Sequence, residues 1–225
     1  MQIQRIAPNG IFEIIPGKLY DRVYNFSDIN YSIQDFEDQE GILDVWCRFL
    51  STMRVPFKIV MANHRRDMEK FRKMVYYEPT GDNLDDVREA FNDYFSSNIS
   101  DVHEGIEQER YLVVSAERQD YGTAVEFFTT LESGIRSIFQ GIGSSIRELD
   151  AKDRLELLHR IYLLGHESDF HFDMESAVKN ARDFKNSFLP DHIREHEDYM
   201  ESDGKYHRVL YIKHTTYASI GDSFL

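Results

Sequence analysis

The sequence predicts an α+β fold: a mixed sheet with helices packed on its faces, a ferredoxin-like central part, and a C-terminal strand that returns to the sheet. Three observations lead there. Residues 20–53 hold a strand followed directly by a helix. Leu19, Val23 and Phe26 are apolar among Asp21, Arg22, Asn25 and Ser27, with amphipathic Tyr20 and Tyr24, as a half-buried strand requires. Then Ile42, Leu43, Val45, Trp46, Phe49, Leu50 and Met53 recur at helical spacing as one wide apolar stripe. Residues 111–149 read strand, helix, strand, at a length that suits a crossover between two parallel strands with the helix over one face of the sheet. Finally, strands alternate with helices of ordinary length, with no internal repeat, low-complexity tract or long linker.

In order, residues 11–15 and 18–26 read as two strands around the turn pair Pro16-Gly17. The helix over 35–53 opens on Asp35, Glu37, Asp38 and Glu40, carboxylates suited to the free N–H groups of a first turn. The only tryptophan, Trp46, is expected to anchor the core, and the only cysteine, Cys47, to be an inert thiol in the apolar helix. Residues 57–62 are a compact strand-like run, and 63–77 read as a helix with Met68, Phe71, Met74 and Val75 on one side. A turn-rich loop at 78–83 precedes a helix from Leu84 to about Ile106, capped by Asp82 or Asn83. The strand over 111–116, the turn at 119–122, the helix over 124–139 and the returning strand over 146–149 complete the crossover, and Asp150 caps a further helix. After Gly165 the chain turns polar and acidic. A short helix over 174–184 and a strand over 206–215 follow, the latter preceded by a turn at Ser202-Asp203-Gly204, with Val209 and Tyr211 expected to be buried. The core thus spans about 11–164, with an appendage and the returning strand over 165–225.

The 225 residues suffice for one large core, with an appendage. Hydrophobic content is 41%, and mean hydropathy is -0.51. No apolar run approaches the about 20 residues of a spanning helix, and residues 1–10 lack a signal-peptide core. One cysteine excludes an internal disulfide and suits a reducing compartment. A net charge of -14 argues against a nucleic-acid surface, and the local basic run His64-Arg65-Arg66 reads as a helix start. The aromatic share of 13% fits buried rings or, alternatively, a docking face.

Two clusters carry candidate metal chemistry. His192-Ile193-Arg194-Glu195-His196 has the H-x-x-E-H spacing, which on a helix lets His192 and His196 share one zinc with Glu195 as base. A zinc-dependent hydrolase, with His166 or His171 as a further ligand, is therefore one alternative. The acidic surroundings, and a strand-like tail where a third ligand helix would be needed, favour a solvated linker. The second cluster is His166, Glu167, Asp169, His171 and Asp173, read as a solvent-exposed acidic loop or a transition-metal site. Gly141-Ile142-Gly143-Ser144-Ser145 follows a helix instead of preceding one, so it reads as a C-cap and not a phosphate cradle. Neither G-x-x-x-x-G-K-[ST] nor G-x-S-x-G occurs. The residues by themselves thus predict no catalytic, cofactor-binding or metal site.

Three stretches carry a resemblance: YNFSDINYSIQDFEDQEGILDVWCRFLSTM followed by a strand and NHRRD, then YFSSNISDVHEGIEQERYLVVSAER, then FLPDHIREHEDYMESDGKYHRVLYIKHTTYASIGDSFL. Together they resemble the amino-terminal region of the conjugation ATPases of type IV secretion systems, the fourth-VirB-subunit family, in the form typical of conjugative elements of Gram-positive bacteria. The resemblance covers most of the chain. It implies a single N-terminal domain, residues 1–225, of a longer protein whose RecA-like motor would bind ATP and magnesium; the family's nucleotide-binding residues carry over to no position here. The implied role is docking on inner-membrane channel subunits and assembly of a hexamer, at the cytoplasmic face of the membrane; the acidic charge, for its part, predicts no direct nucleic-acid contact. A free-standing interaction domain is the remaining alternative.

Overall fold

The computed structural model describes residues 3–29, 31–65, 74–99, 106–163, 166, 169–180 and 182–210. It comprises two compact units, Met1–Arg154 and Leu155–Leu225.

The first unit opens with strands β1 (Arg5–Ile6), β2 (Phe12–Ile15) and β3 (Leu19–Phe26). The predicted hairpin is present: β2 and β3 pair antiparallel around Pro16-Gly17, where Gly17 takes φ 58°, a conformation glycine adopts without steric cost. Helix α1 (Phe36–Thr52) is capped by Asp35, whose carboxylate accepts the Asp38 N–H at 2.9 Å. Strand β4 (Phe57–Arg65) follows. It corrects the helix predicted over 63–77 at its start, because Asn63, His64 and Arg65 continue the ladder opposite Gln108, Glu107 and Ile106. Cross-strand pairing overrides the local pattern there; Met68 and Phe71 lie outside the described residues. Helix α2 (Asp85–Ile99) ends before the predicted Ile106, which instead opens strand β5 (Ile106–Glu117). Asp82 accepts the Leu84 N–H at 2.9 Å, as a start signal should.

Helix α3 (Tyr121–Gly141) then leads to β6 (Ile146–Glu148), and α4 (Ala151–Tyr162) follows. Asp120 and Thr123 form a reciprocal capping box at the start of α3. At its end the Ser144 N–H reaches the Phe139 carbonyl at 2.9 Å and the Gly143 N–H the Gln140 carbonyl at 3.1 Å, with Gly143 at φ 74°. This is a Schellman cap, the C-cap expected of the glycine pair.

The strand order is β6-β3-β5-β4, with β2 and then β1 joined to the first half of β3. The sheet is antiparallel throughout, which corrects the expected mixed sheet. Strands β5 and β6 are parallel to each other, as the crossover predicts, but both pair with β3, which lies between them. The succession β3-α1-β4-β5-α3-β6 is the ferredoxin-like βαββαβ arrangement, extended by the β1–β2 hairpin and by α2 inserted between β4 and β5.

One sheet face presents Tyr20, Tyr24 and Phe26 of β3 and Leu112, Val114 and Ala116 of β5 to Phe49 of α1 and to Ala124, Phe128, Ile135 and Phe139 of α3. Phe26, Trp46, Phe49 and Phe139 meet edge to face with centroids 5.2–6.4 Å apart. Trp46 anchors this cluster from a half-buried position, while Cys47 is exposed, which corrects the buried thiol. The apolar stripe of α1 is wider than the surface available to it, so Leu43 and Leu50 also face out. Arg154 is buried, donates to the carbonyls of Gly10 and Asp21, and pairs with the Asp21 carboxylate at 2.8 Å. Burial pushes its pKa down, and Asp21 opposes that shift.

In the second unit, the expected helix over 174–184 is shorter: α5 (Met174–Lys179), capped by Asp173, with a separate 3-10 turn at Phe184–Ser187. Strands β7 (Ile193–Glu195), β8 (Met200–Ser202) and β9 (Lys205–His207) form their own antiparallel sheet. The predicted returning strand is corrected in its described part, because β9 pairs with β8 and Val209 is exposed. The Asp203-Gly204 turn, with φ 44° and 77°, closes a two-residue hairpin that captures β9 locally. Tyr211 and the rest of the expected strand lie outside the described residues.

Candidate functional site

The H-x-x-E-H segment does not form a zinc helix. Ile193–Glu195 is strand β7, and four residues along a strand advance about 13 Å, too far for two imidazoles to share one ion. His192 Nδ1 lies 3.6 Å from Asp203, and His196 Nε2 lies 3.7 Å from Glu201 with its ring stacked on Tyr199. Glu195 pairs across the ladder with Met200. Three hydrogen bonds to one residue hold the start of the segment extended: Asp203 accepts the backbone N–H groups of Asp191 and His192 and returns its own N–H to the His192 carbonyl.

The second predicted cluster is not gathered either. His166 approaches Asp169 at 3.3 Å, His171 Nδ1 meets the Asp169 backbone carbonyl, and Asp173 is committed to capping α5. Glu167 lies outside the described residues, among which no group of three or more metal-ligating side chains assembles. In the glycine run, the N–H groups of Ile142, Gly143 and Ser144 point at helix carbonyls and that of Ser145 at the Ser27 hydroxyl, so it does not fit a nucleotide phosphate. His64, read in the sequence as part of a basic helix start, sits in β4 between Glu107 and Glu109, at 3.9 and 3.6 Å.

What the structure does build is a concavity at each end of β3. At its far end, a cavity of about 350 Å³ lies between the 3-10 turn Tyr31–Ile33, α1 and the β4 edge. Ile42, Leu43, Trp46, Ile59 and Met61 supply its apolar wall, and the Arg110–Asp28 ion pair at 2.7 Å marks its polar rim. Ile59 and Met61 are 41% and 62% exposed. Strand β4 pairs only with β5 among the described residues, so its outer edge has no strand partner. An apolar floor beside a free edge of nine residues can accept an extended or helical segment of another chain. A partial signal for this groove is legible in the α1 stripe, which holds more apolar residues than one buried face needs.

At the near end, a cleft of about 510 Å³ lies between the β1–β2 loop and the first turn of α3. Glu13 forms its floor, accepting the Gly17 N–H at 2.7 Å and the Tyr20 hydroxyl at 3.3 Å. Tyr121 forms a wall, its hydroxyl donating to Asn9 at 3.1 Å. Burial, followed by the Glu13 and Asp120 charges, raises the pKa of Tyr20. Sequence reasoning missed this cleft, because its residues come from three strands, their connections and a helix start and form no motif.

No helix among the described residues is long and apolar enough to cross a membrane. In comparisons with known proteins, no family model, curated protein or solved structure matches the chain.

Proposed function

We propose that this chain is a non-catalytic docking and assembly domain of a conjugation ATPase of the type IV secretion kind. In this reading it attaches the motor to inner-membrane subunits of the channel at the cytoplasmic face of the membrane and takes part in hexamer assembly. ATP and magnesium would belong to a motor elsewhere in the parent protein. The observation that carries the docking role is the apolar groove at the far end of β3, where Ile59 and Met61 project from a strand whose outer edge has no strand partner among the described residues. The net charge of -14 favours basic protein surfaces over nucleic acid as partners.

The test is co-purification with the inner-membrane channel subunits, using the chain and its Ile59→Asp, Met61→Asp double variant. Both side chains are exposed, so the variant is expected to keep its circular dichroism spectrum and to lose the channel subunits. Retention of those subunits by the folded variant would overturn the docking surface. The motor assignment has its own check in the coding frame beyond Leu225: a strand followed by G-x-x-x-x-G-K-[ST] supports it, and a stop codon removes it.

A further inference from the structure

We propose that the cleft at the near end of β3 binds an alkylammonium or guanidinium group, with Glu13 as counter-ion and Tyr121 as aromatic wall. The proposal is independent of the docking reading, which rests on the opposite end of the strand.

The cleft is shaped for a cation on an apolar stem. Ile6, Pro8 and Ile11 supply apolar lining, and the polar groups converge on Glu13. That carboxylate is preset: one oxygen is held by the Gly17 N–H and the Tyr20 hydroxyl. The other oxygen has, among the described residues, only a long contact of 3.6 Å with Arg5 Nε. The Arg5 side chain is 85% exposed and that of Glu13 only 11%, so a well-placed anion is matched with a loosely held internal cation. A long contact to so exposed a guanidinium is displaced at small cost. Arg5 thus occupies the position that an external guanidinium or ammonium would take.

Tyr121, 43% exposed and tethered through its hydroxyl to Asn9, offers a ring face to such a cation. The start of α3 does not compete as an anion site, because Asp120 already accepts the Thr123 N–H at 2.8 Å and adds a second negative charge. Basic side chains of a partner protein and free polyamines share this chemistry.

The test is titration of the ¹⁵N-labelled full chain, followed by amide shifts. The probes are acetyl-Gly-Arg-Gly-amide, its uncharged citrulline counterpart, and spermidine as the free-polyamine arm. The arginine peptide or spermidine is expected to shift the Gly17 and Tyr121 amides, the tighter of the two naming the source, while the citrulline peptide leaves them unmoved. Arg5→Ala is expected to tighten binding by about two- to fivefold, the worth of the long, solvent-screened contact it removes. Glu13→Gln should weaken it about tenfold, as loss of a charged hydrogen-bond partner does. Equal shifts with citrulline, no shift at Gly17 and Tyr121 with either cation, or weaker binding by Arg5→Ala would overturn the proposal. The Arg5 substitution sits on an exposed side chain and decides the matter even if Glu13→Gln fails to fold.

Discussion

The aromatic cluster of the first unit and the three-stranded sheet of the second both combine strands with aromatic rings, yet they are assembled over different chain distances. Phe26, Trp46, Phe49 and Phe139 meet because β3 pairs with β5, Phe26 opposite Arg110, and because α1 and α3 cover the same sheet face. Their rings leave solvent together. In the second unit His196 stacks on Tyr199 at 4.2 Å and Tyr199 meets Tyr206 edge to face at 5.5 Å, but these rings belong to hairpins joined by tight local turns, and Tyr206 remains 74% exposed. All three β7 residues are exposed. Local hairpins satisfy backbone hydrogen bonds without removing much apolar surface from water, whereas long-range pairing does both. Folding free energy is therefore expected to concentrate in the first unit.

The largest effect is expected at Gly10. Its φ is 78°, and an added Cβ would fall 1.8 Å from the Leu149 carbonyl oxygen, so backbone must move. Gly10→Ala should cost about 4 kcal/mol or more, the range of exceptional single substitutions, seen as loss of cooperative urea unfolding or a sharply lowered midpoint. Next, Phe139→Ala, which empties the centre of the ring cluster, should cost about 3–5 kcal/mol, while Tyr206→Ala stays within about 0.5 kcal/mol. Equal costs for the two would break the contrast between the units. Trp46→Ala is expected to fall between them, at about 2 kcal/mol, because its indole touches three phenylalanines from a half-buried position.

The smallest effect is electrostatic. Arg136 of α3 pairs with Glu148 of β6 at 3.0 Å. The Glu148 carboxyl is held below its ordinary range chiefly by its own backbone N–H, against the opposing effect of burial, with a hydrogen bond from the Glu132 side chain and the charges of Arg22 and Arg136 contributing. A depressed carboxylate stabilises the fold above its unfolded pKa of about 4.3, and that contribution disappears as pH falls through the lower folded value. Thermal melts of the chain and of Glu148→Gln should therefore diverge above about pH 4.3 and converge below it; parallel curves would remove Glu148 from the account.

Much of the first unit was legible in the sequence because its signals are short-range. Asp35, Asp82 and Asp150 mark helix starts through their own carboxylates. Pro16-Gly17 and Gly143 mark a turn and a helix end through backbone geometry. The candidate sites were legible in the opposite sense. His192, Glu195 and His196 look like ligands only if the segment is helical, and the Asp203-Gly204 hairpin that makes it a strand lies several residues downstream. The cleft around Glu13 combines a loop, a hairpin turn and a helix start, each unremarkable alone.

The amino-acid sequence alone determined the alternation of strands and helices, their caps, the acidic charge, and the ferredoxin-like succession of the central elements, because each depends on spacing and on side chains bonding to nearby backbone. Only the tertiary structure decided that every ladder is antiparallel, that β9 pairs with β8, that Cys47 faces outward, and that Glu13, Tyr20 and Tyr121 share a cleft. Those outcomes depend on which distant segments compete for the same edge or face. That competition is settled by burial and pairing summed over the fold, and no local window contains it.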